Sequence, residues 1–170
     1  MREEEKLAHD VYVTLGVQWG TPIFSNIAGS ESTHTEAVRA LLVAYDIADP
    51  VGATPVVGVF VDPAMAELYR ALTARGSASL PEALAVGALV EDLDIRDLEG
   101  HLASTDKADI KTVYEQLLRG SRNHLRSFVG QITTRGGSYS PTYMSQAAFD
   151  SVLSSPKETG EGYGRGRDGR

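Results

Sequence analysis

Apolar residues recur at spacings of three and four along most of the chain, and Gly, Pro or capping residues mark where the rhythm stops. The first segment covers residues 2–15 and is expected to end near Gly16. Thr21-Pro22 opens the second, which continues to about Tyr45 on a stripe of Phe24, Ile27, Val38, Leu41 and Tyr45. Residues 51–61, rich in Gly, Pro and Val, read as a connecting loop, and a short helix follows over 64–74 until Gly76 ends it. Ser79 suits the N-cap of a third long helix carrying Leu84, Leu98 and Leu102. Thr105 or Asp106 suits the cap of a fourth, which runs to about Thr134 with Ile110, Val113, Leu117, Phe128 and Ile132 on one side. A short helix is expected over 146–153, and residues 158–170, dominated by Gly and charge, are expected to be disordered.

Four long amphipathic segments predict an all-α antiparallel four-helix bundle over residues 1–135, with residues 136–170 as a C-terminal extension. The connection between the second and third long helices, residues 46–79, is one long crossover containing the short helix. A plain up-down bundle has no such crossover.

Composition narrows the chemistry. The chain has 170 residues and 42% apolar residues, enough for one domain with a sizeable core, and lacks the apolar run of a membrane span. Its formal net charge of −7 argues against a nucleic-acid partner, which needs a basic footprint. There is no cysteine, so disulfides, thiolate metal sites, iron–sulfur clusters and cysteine nucleophiles are excluded. The compartment stays open: cytoplasmic is the default, and secretion is the alternative if a leader precedes the helical pattern.

The informative feature is what interrupts the apolar stripes. The second helix reads Ile27, Glu31, His34, Val38; the third reads Leu84, Ala88, Glu91, Asp94, Leu98; the fourth reads Leu117, Ser121, His124, Phe128. Glu31 and His34 are three residues apart and share a face. On the first helix Glu5, Ala8, Tyr12 and Leu15 share one, although helical phase alone does not choose Glu5 over Glu4. Buried carboxylates without a partner are costly, and no Arg or Lys falls on these stripes. Two histidines do, and carboxylates with imidazoles around a dication resolve the cost. The candidate metal ligands are therefore Glu5, Glu31, His34, Glu91, Asp94 and His124.

These residues resemble the rubrerythrin and wider ferritin-like superfamily, within it an uncharacterised bacterial and archaeal branch. Glu5-Lys-Leu-Ala-His-Asp-Val-Tyr12 resembles the family's Glu-x-x-Ala-x-x-x-Tyr, which selects Glu5. Glu31-Ser-Thr-His34, with Phe24 upstream, resembles its Glu-x-x-His; Glu91-Asp-Leu-Asp94 resembles its Glu-x-x-Glu; His124 stands at the histidine of its last Glu-x-x-His. The chain departs from the pattern at Ser121, where the family has a glutamate that commonly bridges two irons. It also lacks the two Cys-x-x-Cys pairs of a rubredoxin-like segment, so electrons would come from a separate donor or from a substrate metal.

The resemblance implies oxidation of Fe(II) by dioxygen or peroxide, that is, a ferroxidase or peroxidase type of oxidoreductase holding one or two irons. Hard oxygen ligands with imidazole suit iron or manganese, with zinc and copper as competitors. A non-catalytic bundle holding one metal or none is the alternative that Ser121 raises. A homodimer is the default oligomer. Tyr12, Tyr45 and Tyr114 are read as amphipathic core tyrosines, His9 and His101 as non-ligands, and Arg119, Arg122 and Arg126 as a solvated row with local salt bridges.

Overall fold

The computed structural model of the chain describes residues 1–159. Its elements are six helices: α1 (Arg2–Trp19), α2 (Pro22–Ala44), α3 (Pro63–Gly76), α4 (Leu80–Ser104), α5 (Ala108–Thr134) and α6 (Gln146–Ser154), with no strand among the described residues. Two hairpins organise it. Gly20-Thr21 joins α1 to α2, and residues 105–107 join α4 to α5. The hairpins pack through α2 against α5 and α1 against α4, and α3 lies on α1 and α4. No helix among the described residues is long and apolar enough to cross a membrane.

Two boundaries differ from the sequence reading, each for a local reason. Helix α1 passes through Gly16 and ends at Gly20, which takes the left-handed conformation (φ 61°) and donates its N–H to the Gly16 carbonyl. Gly16 instead allows close packing of α1 on α2, because a Cβ there would lie 3.2 Å from Phe24 Cβ. Helix α5 starts at Ala108, after Thr105, whose backbone is extended and whose hydroxyl accepts from the Lys107 N–H at 3.3 Å. Tyr45, assigned to the α2 stripe, is instead 38% exposed, and its hydroxyl meets Asp109.

One end of the core is an aromatic cluster in which Tyr12, Phe24 and Phe128 lie 5.3–6.4 Å apart, centroid to centroid. Gly87 lets Phe128 lie flush on α4, since a Cβ there would come within 2.5 Å of the ring.

The long connections are held down by buried charge. Lys6 pairs with Asp10, and together they bind the crossover: Lys6 Nζ donates to the Val56 carbonyl (2.9 Å) and Asp10 accepts from Gly58 N–H (2.9 Å). Arg2 forks onto Asp49 through two bonds of 3.0 Å and donates to the Thr35 carbonyl. Asp92, fully buried on α4, accepts from Tyr139 Oη and from the backbone N–H groups of Thr142, Tyr143 and Met144. Glu158 does not belong to a free tail: it pairs with Arg122 and Arg126, which pull its carboxyl down to about 2. The rest of the disorder expected toward the C-terminus, residues 160–170, lies outside the described residues.

Candidate metal centre

Helical spacing carries each candidate ligand to the interior. Glu5 is on α1, Glu31 and His34 are three apart on α2, Glu91 is on α4 and His124 is on α5. All three glutamates are 0% exposed, and the two imidazoles are 8–9% exposed.

The side chains form two triads that share Glu31. Glu5, Glu31 and His34 make one, Glu31, Glu91 and His124 the other, and in each the ligand atoms lie within 4.8 Å of one another. His34 Nδ1 lies 2.8 Å from Glu31 Oε2 and 3.4 Å from Glu5 Oε2. His124 Nδ1 lies 2.7 Å from Glu31 Oε1 and 3.5 Å from Glu91 Oε2. The two rings stack with centroids 5.6 Å apart. Asp94, also buried, joins neither triad.

These atoms suit a cation better than they suit one another. Both oxygens of Glu5, Glu31 Oε1, Glu91 Oε2 and His124 Nδ1 are buried without a hydrogen-bond partner, because the close His124–Glu31 approach lacks hydrogen-bond geometry. Buried polar atoms are seldom left so, and five at one place fit ligands awaiting a dication. Groups that could hold a metal ion are therefore present.

Other side chains shape the site. Tyr12 donates to Glu91 Oε1 at 2.5 Å, leaving Oε2 as the free oxygen. Burial and the Glu91 and Glu31 charges raise its phenol well above the ordinary range, so it stays a donor. Tyr114 lies instead against His101, ring to ring at 5.8 Å. Ser30 Oγ lies 3.1 Å from His124 Nε2, which leaves Nδ1 to face the carboxylates. Gly120 makes room for His34, since a Cβ there would lie 2.6 Å from Nε2. Ser121 is fully buried, and its hydroxyl is spent on the Leu117 carbonyl of its own helix, 3.3 Å away. Sequence reading passed over Ser30 and Gly120. A glycine inside a long helix costs stability and was the available signal for Gly120; Ser30 carried none.

Without a metal, the carboxylates and imidazoles titrate as a set. Burial pushes Glu5 up to about 7, assisted by the Glu31 charge. Burial also acts on Glu31, but the two histidines outweigh it and bring its carboxyl down to about 2. Burial disfavours charged imidazoles, yet Glu31 and Glu5 hold His34 up to about 10, and Glu91 and Glu31 do the same for His124. Groups raised on folding stabilise the fold below their ordinary values and lose that contribution as pH rises through the folded ones. In chelator, the melting temperature should therefore fall from pH 5 to pH 10, as Glu5 and then both imidazoles deprotonate. Metal affinity should rise over the same range, because binding displaces those protons. Thermal melts with and without metal test both signs, and a metal-free melting temperature that climbs toward pH 10 would refute the charge assignment.

Over residues 1–156 the chain matches the family described as "Uncharacterized protein domain (DUF2202)". It is 51% identical over 160 residues to "Uncharacterized protein MJ0754" of Methanocaldococcus jannaschii, spanning 94% of this chain and 86% of that protein. The crystal structure of that hypothetical protein superposes with a TM-score of 0.91, covering 93% of this chain and 90% of that one. By the family match over residues 1–156, the chain belongs to the DUF2202 family.

Proposed function

We propose that this chain is a metal-binding protein of the ferritin-like kind, an iron-dependent oxidoreductase of the ferroxidase or peroxidase type whose centre is altered by Ser121. The observation that carries the reading is the pair of buried triads sharing Glu31, with their orphaned oxygens and imidazole nitrogen. Glu31 presents one oxygen to each half, and His34 and His124 give each half one imidazole. Glu5 and Glu91 complete them. Tyr12 fixes one Glu91 oxygen and leaves the other for binding. Bound there, iron would exchange electrons with dioxygen or peroxide.

Asp94 stays outside the pair of triads, and the second carboxylate in the Glu91-x-x-Asp94 segment is not needed to form them. Ser121 supports the second reading, a non-catalytic protein with one metal or none, because its short hydroxyl turns back to Leu117.

Elemental analysis of protein purified with Fe(II), together with oxygen uptake on iron addition, separates the readings. About two irons per chain with oxygen consumed supports the oxidoreductase, following the known two-metal bundles. One tightly held metal without oxygen consumption supports the second reading. Protein that binds no metal, with a melting temperature unmoved by added iron, sinks the oxidoreductase and leaves the second reading in its metal-free form. Ser121→Glu should tighten the weaker of the two sites on the order of tenfold, the lower end of what a group beside a metal is worth in affinity. Titration calorimetry reads this, and an unaltered affinity would remove Ser121 from the account.

A further inference from the structure

Asp94 is 4% exposed, its Oδ2 has no hydrogen-bond partner, and it belongs to neither triad. It lines a cavity of about 260 Å³ between α1, α3 and α4, walled in part by Met65 and Leu68 of α3. The other charged side chains on that cavity are Glu4, Asp97 and Arg96. Glu4 contributes a second orphan, since its Oε2 is also buried without a partner. Arg96 is committed within the cavity wall: its guanidinium pairs with Asp97 at 2.8 Å, neutralising it, and lies 4.9 Å over the Tyr143 ring. Glu4 pairs through its other oxygen, Oε1, with the Met1 ammonium at 3.0 Å, so the cavity holds one free oxygen of Glu4 and, in Asp94, a buried carboxylate with no charged partner.

Their neighbours give the arrangement a direction. Glu4 precedes Glu5, a member of the first triad, and Asp94 stands one helical turn beyond Glu91, a member of the second. Asp97 continues the same face of α4 another three residues outward. Carboxylates along a low-dielectric cleft concentrate cations and speed their arrival.

Resting on the metal reading above, we infer that this cavity is the path by which a divalent cation reaches the triads, with Glu4 and Asp94 as a carboxylate station on the way. The two groups take up the hydrated cation, exchange part of its water for oxygen ligands, and pass it to Glu5 and Glu91. Asp94 is a station in this scheme and not a resident ligand.

The test is the rate at which Co(II) loads the metal-free full chain, followed by stopped-flow through its visible absorption. Asp94→Asn should load on the order of tenfold more slowly than the unaltered protein, with the same Co(II) per chain at the end. Leu68→Trp, which fills the cavity and leaves every carboxylate in place, should slow loading likewise. If Leu68→Trp fails to fold, Met65→Phe serves the same purpose. Loading at the unaltered rate in the Asn variant or in the filled-cavity variant overturns the path while leaving the metal centre standing. A lower final Co(II) content in Asp94→Asn also overturns it, because Asp94 would then be a resident ligand. Failure of the unaltered chain to take up any Co(II) overturns the centre itself and the path with it.

Discussion

Glu31→Ala should abolish metal binding at both halves of the centre at once. Glu31 is the only carboxylate common to the two triads, and its oxygens lie 2.8 and 2.7 Å from His34 and His124. Removing any other ligand damages one half; removing this one leaves each half with one carboxylate and one imidazole. The same substitution should weaken the metal-free protein by about 3–5 kcal/mol, the usual cost of leaving buried charges without their partner. Two imidazoles held charged by that carboxylate would face each other with centroids 5.6 Å apart. Elemental analysis and chemical denaturation read the two effects separately. Glu67→Gln, on the exposed side of α3, should change neither. Retention of the full metal content by Glu31→Ala would refute the shared-ligand arrangement.

Asp92→Ala should give the largest loss of stability that does not touch the metal centre, about 4 kcal/mol or more. The carboxylate is 0% exposed and accepts four hydrogen bonds at 2.5–3.0 Å, three of them from consecutive backbone N–H groups. Alanine removes the acceptor of all four donors at once; water can reach those of the exposed Thr142 and Tyr143, while a buried unpaired donor costs about 1–3 kcal/mol. The segment over residues 136–145 should then lift from α4 and become open to protease. Denaturation midpoints and limited proteolysis check this. Asp92→Asn should fall between, since its amide keeps one accepting oxygen. A melting temperature within a degree of the unaltered protein would mean that the segment is anchored mainly by Phe149 and Val152, which are also buried.

Neighbouring acids on α4 illustrate how far the sequence could be read. Glu91, Asp92 and Asp94 lie within four residues, and all three are buried. Helical phase put Glu91 and Asp94 on one face, yet only Glu91 enters a triad; Asp94 opens into the α1–α3–α4 cavity. Asp92, about 100° around the helix, was passed over and anchors the extension. On α1, Lys6 and Asp10 stand four apart, a spacing that does not show that the crossover covers them. Phase specifies a direction from the helix axis and says nothing about what lies in that direction.

The sequence by itself determined the helices, the capped start at Ser79 and the proline-led start at Pro22, the loop over 51–61, and which faces turn inward, because periodicity and capping act within a few residues of chain. It also brought acids and imidazoles onto those faces. Only the tertiary structure decided that Glu31 stands between two histidines, that Tyr12 holds Glu91, and that Asp94 joins neither triad. Those outcomes depend on how far each helix slides and rotates against its partners, and packing set by residues as remote as Gly87, Gly120 and Phe128 controls that.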